Sequence, residues 1–457
     1  MKNISKIILS TMLVATMSSC HIYNKYELPK DNAIIGEYQK SLEAPVDSAM
    51  LGNLAWNEVF TDTILQRYIN QALEVNKDYK NAKLNIDIAH AQLKGAKLSY
   101  LPSLTFTPNG GAASYAGSPM SLTYSLPLAA SWEIDVFGKL LNNKRKAQAN
   151  LEQTEAYTQA VRSQIIGAVA NTYYALVMLN QQLEITKSTA SLWEEQVESM
   201  ALMKEAGRVN EAAVVQSRAN YYYILSTIPD IENTIHQTNN TLSLLLNTHY
   251  QKWDVAQTTE FKTPELLNDG IPVGYLSARP DVKAAEKSFA SAFYATNIAR
   301  TNFYPSLVIS AQGGFTNLLG SVITNPGEWF VQLAGSLTAP IFSRGKNIAT
   351  LEAAKAQQKQ ALNNFEYTVL NASAEVSNAL VEISNNDAKR QMLILQVGQL
   401  EKSVEYTQEL LYLGQATYLE VLSAQQSLLS AQLSSLDCWH AKVSAMINLY
   451  QALGGGR

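Results

Sequence analysis

The sequence predicts an α+β fold that is built twice within one chain, and three observations support this prediction. Residues 76–111 align without a gap on residues 279–314, and ten of the 36 aligned pairs are identical. Each copy then shows short segments of alternating residue polarity. A helical pattern that no proline interrupts follows in both copies. Because a repeat of about 200 residues far exceeds the period of solenoid repeats, each copy is expected to form a large substructure of its own.

The first element of copy one is predicted to be a helix from about Asp62 to Ser99. Its apolar residues fall on one face, namely Leu65, Ile69, Ala72 and Leu73. Prolines at Pro102 and Pro305 end the helical pattern in the two copies, because the residue before a proline avoids the α region.

After each proline the period of the pattern changes to two, which predicts β-strands. The apolar positions are Leu122, Tyr124, Leu126 and Leu128 in copy one, and Trp329, Val331, Leu333 and Leu337 in copy two. Such strands suit either a barrel wall between lipid and water or a half-buried hairpin of a soluble domain. Four strands cannot close a conducting barrel, so the membrane interpretation requires several chains.

The long helices are predicted from about Lys139 to Ala206 and from Lys346 to Leu413. The apolar residues of the second one recur mainly at spacings of three and four, which is typical of a coiled coil, although Asn386 and Arg390 interrupt the series. The series consists of Leu362, Phe365, Val369, Ala372, Val376, Ala379 and Ile383, and then of Leu393, Val397, Leu400, Val404 and Leu411. At 1.5 Å per residue each helix would be roughly 100 Å long. Gly207 and Gly414 end these helices, and a second helix is expected to return antiparallel after each.

Composition excludes several classes of function. The 457-residue chain has a formal net charge of −4 and only 16% charged residues, without clusters of Lys and Arg, so no nucleic acid is expected as a partner. Two cysteines, Cys20 and Cys438, provide no disulfide framework. The five histidines show no metal-binding spacing, and no nucleophile and base are paired, so neither an enzyme nor a cofactor is expected.

The N-terminus resembles a secretion signal. Lys2 and Lys6 precede an apolar stretch from Ile7 to Met17, and Ser18-Ser19-Cys20 follows. A cysteine after small residues is similar to a bacterial lipoprotein signal, in which residues 1–19 are removed and Cys20 is acylated. The alternative is an ordinary signal peptide with a chance cysteine. No other segment has 18 consecutive apolar residues, so an exported chain of this kind could cross a membrane only as a closed β-barrel.

Two terminal segments carry a resemblance to a known family. The pattern Trp56-x-x-x-Phe60-x-Asp62-x-x-Leu65 resembles the N-terminal signature of TolC-like outer-membrane efflux factors. The segment Tyr418-Leu419-Glu420-Val421-Leu422-Ser423 and the end Gly454-Gly455-Gly456 resemble the lipoprotein (OprM/NodT-type) branch. Trp132 to Lys139 and Pro340 to Lys346 are similar to the paired strand-to-helix junctions of that family. The resemblance covers residues 20–457.

The resemblance implies a homotrimer, in which four strands from each chain close one 12-stranded outer-membrane β-barrel. The helices would continue that barrel as a periplasmic α-helical coiled-coil barrel. The implied function is a passive exit duct for drugs or toxic small molecules, anchored in outer-membrane lipid. Its implied partners are a periplasmic adaptor protein and an inner-membrane pump of the resistance-nodulation-division (RND) type. An exit duct for protein or polysaccharide secretion, and a non-conducting periplasmic scaffold, are the alternatives.

The resemblance also assigns candidate sites at the ends of the helical hairpins. Family members close their tunnel with carboxylates placed six and nine residues after the second-copy glycine, which here correspond to Glu420 and Ser423. Three copies of Glu420 near an axis would repel one another and attract cations. The turns expected to contact the adaptor are Gly207-Arg208-Val209-Asn210 and Gly414-Gln415-Ala416-Thr417. The alternatives are a solvated glutamate and simple helix-reversing turns.

The expected organisation has six parts: a signal peptide at 1–19, an anchored segment at 20–60, copy one at 61–249, a connector at 250–278, copy two at 279–453 and a flexible tail at 454–457. Cys438 and most of Tyr221-Tyr222-Tyr223 are expected to pack between helices.

Overall fold

The computed structural model describes residues 23–44, 51–114, 119–257, 274–317 and 328–456. Its helices, in chain order, are α1 (Ala33–Glu43), α2 (Trp56–Val59), α3 (Thr63–Val75), α4 (Lys77–Leu98), α5 (Lys139–Glu205), α6 (Glu211–Leu245), α7 (Tyr275–Ala278), α8 (Pro280–Thr301), α9 (Lys346–Tyr412) and α10 (Tyr418–Ala452). Its strands are β1 (Ser103–Phe106), β2 (Asn109–Ala113), β3 (Ser121–Ile134), β4 (Ser306–Thr316) and β5 (Glu328–Thr338).

Both copies contribute to one antiparallel sheet in the order β1-β3-β4-β5, in which β2 also pairs with β3. Strands β1 and β2 continue one another along the same edge of β3, because both follow a single register. Pro108 separates them, and the Thr107 amide before it still donates to the Pro127 carbonyl at 3.3 Å. The sheet therefore has four rows of strand, as the sequence predicts, and copy one meets copy two where β3 pairs with β4.

The two faces of this sheet differ sharply in chemistry. The register places one set of large apolar side chains on a single face, where they stay exposed within the chain: Leu104, Phe106, Leu126, Leu128, Trp132, Phe315, Trp329, Val331, Leu333 and Leu337. The opposite face carries mainly hydroxyl and amide side chains, among them Thr105, Ser131, Ser310, Gln312, Gln332, Ser336 and Thr338. A half-buried hairpin of a soluble domain would cover its apolar face, so the structure favours the lipid-facing alternative.

The long helices end within one residue of their predicted ends, and the predicted seam of α9 is its buried stripe. Phe365, Val369 and Ala372 are fully buried, and Val376, Ala379 and Ile383 continue the same spacing. From Leu393 to Val404 the seam is only half-buried, and Leu411 near the end of the helix is buried again. In the part of the chain that the structure describes, no helix combines the length and the apolar character needed to cross a membrane.

The single helix predicted from Asp62 to Ser99 is wrong, because the chain forms two helices there. Asp62 caps α3 by accepting from the amides of Ile64 and Leu65, at 2.8 and 3.2 Å. Asn76 interrupts the helix with extended backbone, and its side-chain oxygen accepts from the amides of the next helix at 2.9 and 3.2 Å. One asparagine thus ends α3 and caps α4.

The C-terminal glycines, expected to be a flexible tail, are buried and hydrogen-bonded through Gly456. The Ser163 hydroxyl donates to the Gly455 carbonyl at 2.7 Å, the Arg162 guanidinium donates to the Gly456 carbonyl, and the Gly456 amide donates to the Tyr450 hydroxyl at 2.8 Å. Gly454 and Gly456 have φ of +84° and +82°. The glycines therefore provide a left-handed turn that side chains would strain.

The chain divides into two compact units, and each combines segments of both copies. One contains the described residues within 1–32, 84–156 and 283–367, and it includes the sheet. The other contains those within 33–83, 157–282 and 368–456, and it includes both helical turns.

Candidate functional site at the hairpin turns

The two turns after the long helices share one backbone geometry. Gly207 and Gly414 have φ of +70° and +72°. The amide after each glycine reaches back to the helix, from Arg208 to the Met203 carbonyl and from Gln415 to the Leu410 carbonyl, both at 2.8 Å. A Cβ at either glycine would meet nothing within 4 Å. The turns therefore need glycine for its conformation, as the sequence predicts.

The helices that follow the turns begin differently in the two copies. Asn210 caps α6, since its side-chain oxygen accepts from the Ala213 amide at 3.1 Å. Thr417 occupies the same place before α10, but its hydroxyl donates to a Glu420 carboxylate oxygen at 3.3 Å instead of capping the helix. Ala213 is the copy-one counterpart of Glu420. The carboxylate and its hydroxyl partner are therefore specific to the second copy.

An apolar cluster, here called the tip cluster, packs the two turns against each other. Its buried members are Met200, Met203 and Val214 of the first hairpin and Leu411, Tyr418, Val421 and Leu422 of the second, with Val209 and Ala213 packed against them. Burial raises the pKa of the Tyr418 phenol. Burial of this kind fixes the two turns relative to each other.

Glu420 and Ser423 lie on one exposed face of α10, three residues apart. The residues between them, Val421 and Leu422, enter the tip cluster. Glu420 is also in the first turn of its helix, where the helix dipole favours a negative charge. The structure thus brings the two predicted aperture residues together on a surface that a cation or a second protein can reach.

The turn residues expected to contact an adaptor are mostly exposed. Gly207, Arg208, Asn210, Gly414, Gln415 and Thr417 belong to this surface, while Val209 and Ala416 are half-buried. Arg208 also donates to the backbone carbonyl of Tyr412, with 2.9 Å between Nη1 and the oxygen. This bond is not predictable from the sequence, because nothing in the pattern relates an arginine in one turn to a carbonyl at the end of the other long helix.

Ion pairing at the first turn is local. Lys204 and Glu211 form a salt bridge across the turn, between the last residues of α5 and the first of α6. This bond to Lys204 lowers the pKa of the Glu211 carboxyl. Both side chains are about half exposed, and such pairs contribute little to stability. Among the described residues, no group of three or more His, Cys, Asp and Glu side chains could hold a metal ion.

The predicted lipidation site, Cys20, lies outside the described residues, but the segment after it is held by side chains. Tyr26 packs against Phe289, Phe293 and Tyr294 with ring centroids 5.5 to 6.0 Å apart. Its hydroxyl donates to Glu286 at 2.7 Å. The carbonyl of Asn24 accepts from the Asn297 amide group at 3.0 Å.

Two minor predictions have different outcomes. Cys438 is buried and unbonded to another cysteine, which confirms that it packs. Of the three tyrosines, only Tyr221 packs against a described cluster, that of Ala190, Trp193 and Ile224. Tyr222 and Tyr223 are 59% and 64% exposed, so these two side chains do not pack between helices within the chain. Packing against helices of a second copy stays a prediction.

The chain is similar in sequence and in fold to several known proteins. The sequence profile of the family described as "Outer membrane efflux protein" matches residues 68–248 and 272–455. The "Cation efflux system protein CusC" of Escherichia coli O6:H1 is 30% identical over 414 residues, which cover 88% of each chain. The "Toluene efflux pump outer membrane protein TtgC" of Pseudomonas putida is 26% identical over 474 residues, which cover 99% of this chain and 96% of the relative. A crystal structure of CusC superposes with a TM-score of 0.85 and 25% identity, over 95% of this chain and all of the other.

An uncovered apolar sheet joined to two long helical hairpins defines a channel-forming outer-membrane protein. The chain belongs to the outer membrane efflux protein family. This confirms the resemblance to TolC-like factors, and it confirms the fold class, that of the trimeric channels in which a β-barrel continues into a helical tunnel. The chain is the outer-membrane component of a tripartite efflux system and serves as its exit duct. Its place is therefore the outer membrane and the adjoining periplasm.

Proposed function

We propose that three copies of this chain assemble into a passive duct, which receives its cargo from a periplasmic adaptor and an inner-membrane RND-type pump. The observation that carries this proposal is the sheet, whose apolar face is uncovered and whose four rows are too few to enclose a channel. Three chains supply the 12 rows of strand that a conducting barrel needs.

The proposed cargo is a small ion or molecule, drugs and toxic compounds included. The names of the relatives support this class, since one is a cation efflux protein and another a toluene efflux protein. The duct itself would discriminate weakly, because no described side chains form a metal-binding group. Deleting the gene should raise sensitivity to salts of toxic metal cations, or to lipophilic compounds such as toluene, at least several-fold. Unchanged sensitivity to both classes would contradict the efflux cargo.

A variant gene should restore growth of the deletion strain only if the turn at Gly414 keeps its geometry. Gly414→Val forces a β-branched residue into a left-handed conformation and should fail to restore growth. Gly398→Ala is the matched control, since Gly398 is helical, has no positive φ and leaves open space for a Cβ. Failure of both variants would indicate a general folding defect, and success of both would remove the turn from the function.

The adaptor is proposed to bind the two turns that contain Gly207 and Gly414. Their exposure and their fixed relative position in the tip cluster support this. A photoreactive residue at Gln415 should cross-link to the adaptor in cells, whereas one at Gln357, an equally exposed glutamine on α9, should not. Equal cross-linking at both positions would argue against a specific tip contact.

Glu420 is proposed to line the aperture, with Ser423 as its neutral neighbour on the same face. Three carboxylates at the axis would concentrate cations and hold the opening narrow by their hydration. Glu420→Gln should therefore reduce cation selectivity, while Glu211→Gln, a first-turn acid of the other hairpin, should leave it unchanged. Equal selectivity in both variants and the wild type would remove Glu420 from the aperture.

Cys20 is proposed to carry the lipid anchor. The wild-type protein should incorporate labelled palmitate, and Cys20→Ala should not. Labelling that persists in Cys20→Ala would exclude this residue as the site.

A further inference from the structure

Lysine and arginine are absent from the sheet and reappear where the helices join it. The sequence contains neither residue between Lys97 and Lys139, nor between Arg300 and Arg344. These two intervals contain all the described strands. Helices α4, α5, α8 and α9 all meet the same end of the sheet, because β1 and β4 begin there and β3 and β5 end there. Positive charge therefore begins abruptly at one end of the sheet.

The positive side chains at this end form a surface that we call the basic belt. Each lies within about two turns of the helix end that joins the sheet. The belt consists of Lys94, Lys97, Lys139, Lys144, Arg145, Lys146, Arg300, Arg344 and Lys346.

The acidic residues of the same region do not neutralise the belt. They are Glu133, Asp135 and Glu352, so three negative charges stand against nine positive ones. Glu133 pairs with Lys139 at 3.0 Å. Both carboxylate oxygens of Asp135 accept from backbone amides of α5, at 3.0 and 2.7 Å. The belt therefore keeps an excess of positive charge.

Much of that excess faces solvent within the chain. Five side chains of the belt are exposed and form no ion pair with a residue that the structure describes. They are Lys94, Lys97, Lys144, Arg344 and Lys346. An anion from outside the chain can therefore reach them.

Aromatic side chains mark where the apolar face of the sheet ends. Trp132, Phe303, Tyr304 and Phe342 are exposed at this end. The indole Nε1 of Trp132 donates to the carbonyl oxygen of Tyr100 at 2.9 Å. Exposed aromatic residues at the rim of a membrane strand are typical of the boundary between acyl chains and headgroups. The basic belt therefore follows the lipid-facing surface at the level of the headgroups.

The starts of the two long helices differ in how they meet an anion. Helix α5 is capped by the carboxylate of Asp135, which belongs to the chain itself. At the offset of 205 residues its counterpart is Pro340, and Arg344 and Lys346 stand at the start of α9 instead. The dipole of α9 adds partial positive charge at the same place. Copy two thus combines positive side chains with a helix start that has no carboxylate of this kind.

We propose that the basic belt binds the headgroups of anionic phospholipids in the periplasmic leaflet of the outer membrane, with Arg344 and Lys346 as its strongest part. The continuity of the belt with the lipid-facing surface favours a lipid phosphate over a free one. A zwitterionic headgroup would bring a positive group to the same surface, so the belt prefers a net negative lipid. This preference depends neither on the proposed cargo nor on the adaptor.

The local lipid composition can be measured through one tryptophan. In a Trp329→Phe background, Trp132 is the only tryptophan of the described strands, and it lies at the belt end of the sheet. The full-length protein is reconstituted into phosphatidylethanolamine vesicles that contain phosphatidylglycerol or phosphatidylcholine, either of them brominated near the headgroup. Quenching of Trp132 gives the relative binding constant of the two lipids. Trp132→Phe should remove most of the lipid-dependent quenching.

The belt variant changes the five exposed side chains to glutamine, as Lys94→Gln, Lys97→Gln, Lys144→Gln, Arg344→Gln and Lys346→Gln. The matched control makes five such changes farther from the sheet, at exposed lysines of α4 and α9. These are Lys77→Gln, Lys80→Gln, Lys83→Gln, Lys355→Gln and Lys359→Gln. All three proteins should share one circular dichroism spectrum, because every changed side chain is exposed.

The background protein should bind phosphatidylglycerol about fivefold more strongly than phosphatidylcholine, the effect of roughly one basic residue at a membrane surface. The matched control should keep this ratio, and the belt variant should fall below about twofold. If the belt variant does not fold, Arg344→Gln/Lys346→Gln should still lower the ratio. Equal ratios in the background protein and in the folded belt or double variant would overturn the proposal.

Two further outcomes would also overturn it. A ratio that falls as far in the matched control as in the belt variant would assign the preference to net charge rather than to the belt. Inorganic phosphate, added at constant ionic strength, should leave the ratio unchanged. A ratio that phosphate abolishes would assign the belt to free anions instead of lipid.

Discussion

The Arg208 guanidinium donates a 2.9 Å hydrogen bond from Nη1 to the backbone carbonyl oxygen of Tyr412. Tyr412 is the last residue of α9, and the final carbonyls of a helix have no partner within it. The bond therefore places a positive charge at the negative end of one long helix while tying it to the turn that follows the other. The two hairpins of the chain are joined at their tips by this bond as well as by the tip cluster.

Removing the bond between Arg208 and Tyr412 should let the ends of the two hairpins move apart more easily. Arg208→Ala loses both the hydrogen bond and the charge at the helix end, which is worth about 0.5–1 kcal/mol at an exposed site. A two-state aperture would then be open roughly two to five times more often. Single-channel recordings measure this, and Arg208→Lys, which keeps the charge, should lie between the two. Identical open probabilities for all three proteins would show that the bond does not restrain the tips.

The buried C-terminal glycines predict a stability defect remote from the tips. Gly454→Ala would hold alanine at a φ of +84° and set its Cβ 2.9 Å from the backbone of Ala278. The left-handed conformation alone costs roughly 1–2 kcal/mol. Thermal unfolding by circular dichroism should show a lower midpoint for Gly454→Ala, while Gly398→Ala should be neutral or up to about 1 kcal/mol more stable. An unchanged midpoint for Gly454→Ala would contradict the buried turn.

Periodic features were predictable from the sequence because each repeats a local physical rule many times. The seam from Phe365 to Ile383 and the turns at Gly207 and Gly414 are of this kind. Single interactions between distant residues were not predictable. Asn76 caps a helix inside an apparently continuous pattern, and the glycines from Gly454 are buried because Arg162 and Ser163 bind their carbonyls. Composition alone makes such glycines resemble a flexible end.

The features of the candidate site also divide into those that could be predicted from the sequence and those that could not. The family resemblance assigned Glu420 and Ser423 to the positions six and nine residues after Gly414, and the structure shows both exposed on one face of α10. The bond from Arg208 and the hydroxyl of Thr417 on the Glu420 carboxylate both depend on how the chain turns in space. Neither hydrogen bond can be predicted from the residue pattern.

The burial of His440 predicts that the folded chain loses stability in acid. Desolvation lowers the pKa of this imidazole below its ordinary 6.5, although Asp437 opposes the shift, and Nε2 is buried without a hydrogen-bond partner. Protonation therefore favours the unfolded chain, so the stability associated with the neutral ring is complete above about pH 6.5 and falls as pH decreases toward the folded-state pKa. His440→Gln should flatten the dependence of the unfolding midpoint on pH in this window. An equally steep dependence in the variant would assign it to other groups.

The contacts of Tyr26 predict how firmly the segment around this residue is held. Tyr26→Phe keeps the contacts with Phe289 and Phe293 but loses the bond to Glu286, a loss of about 1 kcal/mol. Tyr26→Ala loses both, about 2 kcal/mol in all. Trypsin should therefore cleave after Lys25 and Lys30 fastest in Tyr26→Ala, more slowly in Tyr26→Phe and slowest in the wild type. Equal cleavage rates would show that the tyrosine does not hold this segment.

Ion conduction by the purified protein tests the exit duct most directly. Trimers extracted from outer membranes and added to a planar lipid bilayer should produce discrete current steps that scale linearly with voltage. Trimers of Glu420→Ala should produce larger steps, since the variant removes three side chains from the proposed aperture. Trimers that insert into the bilayer and carry no current, in the wild type and in Glu420→Ala alike, would contradict the account.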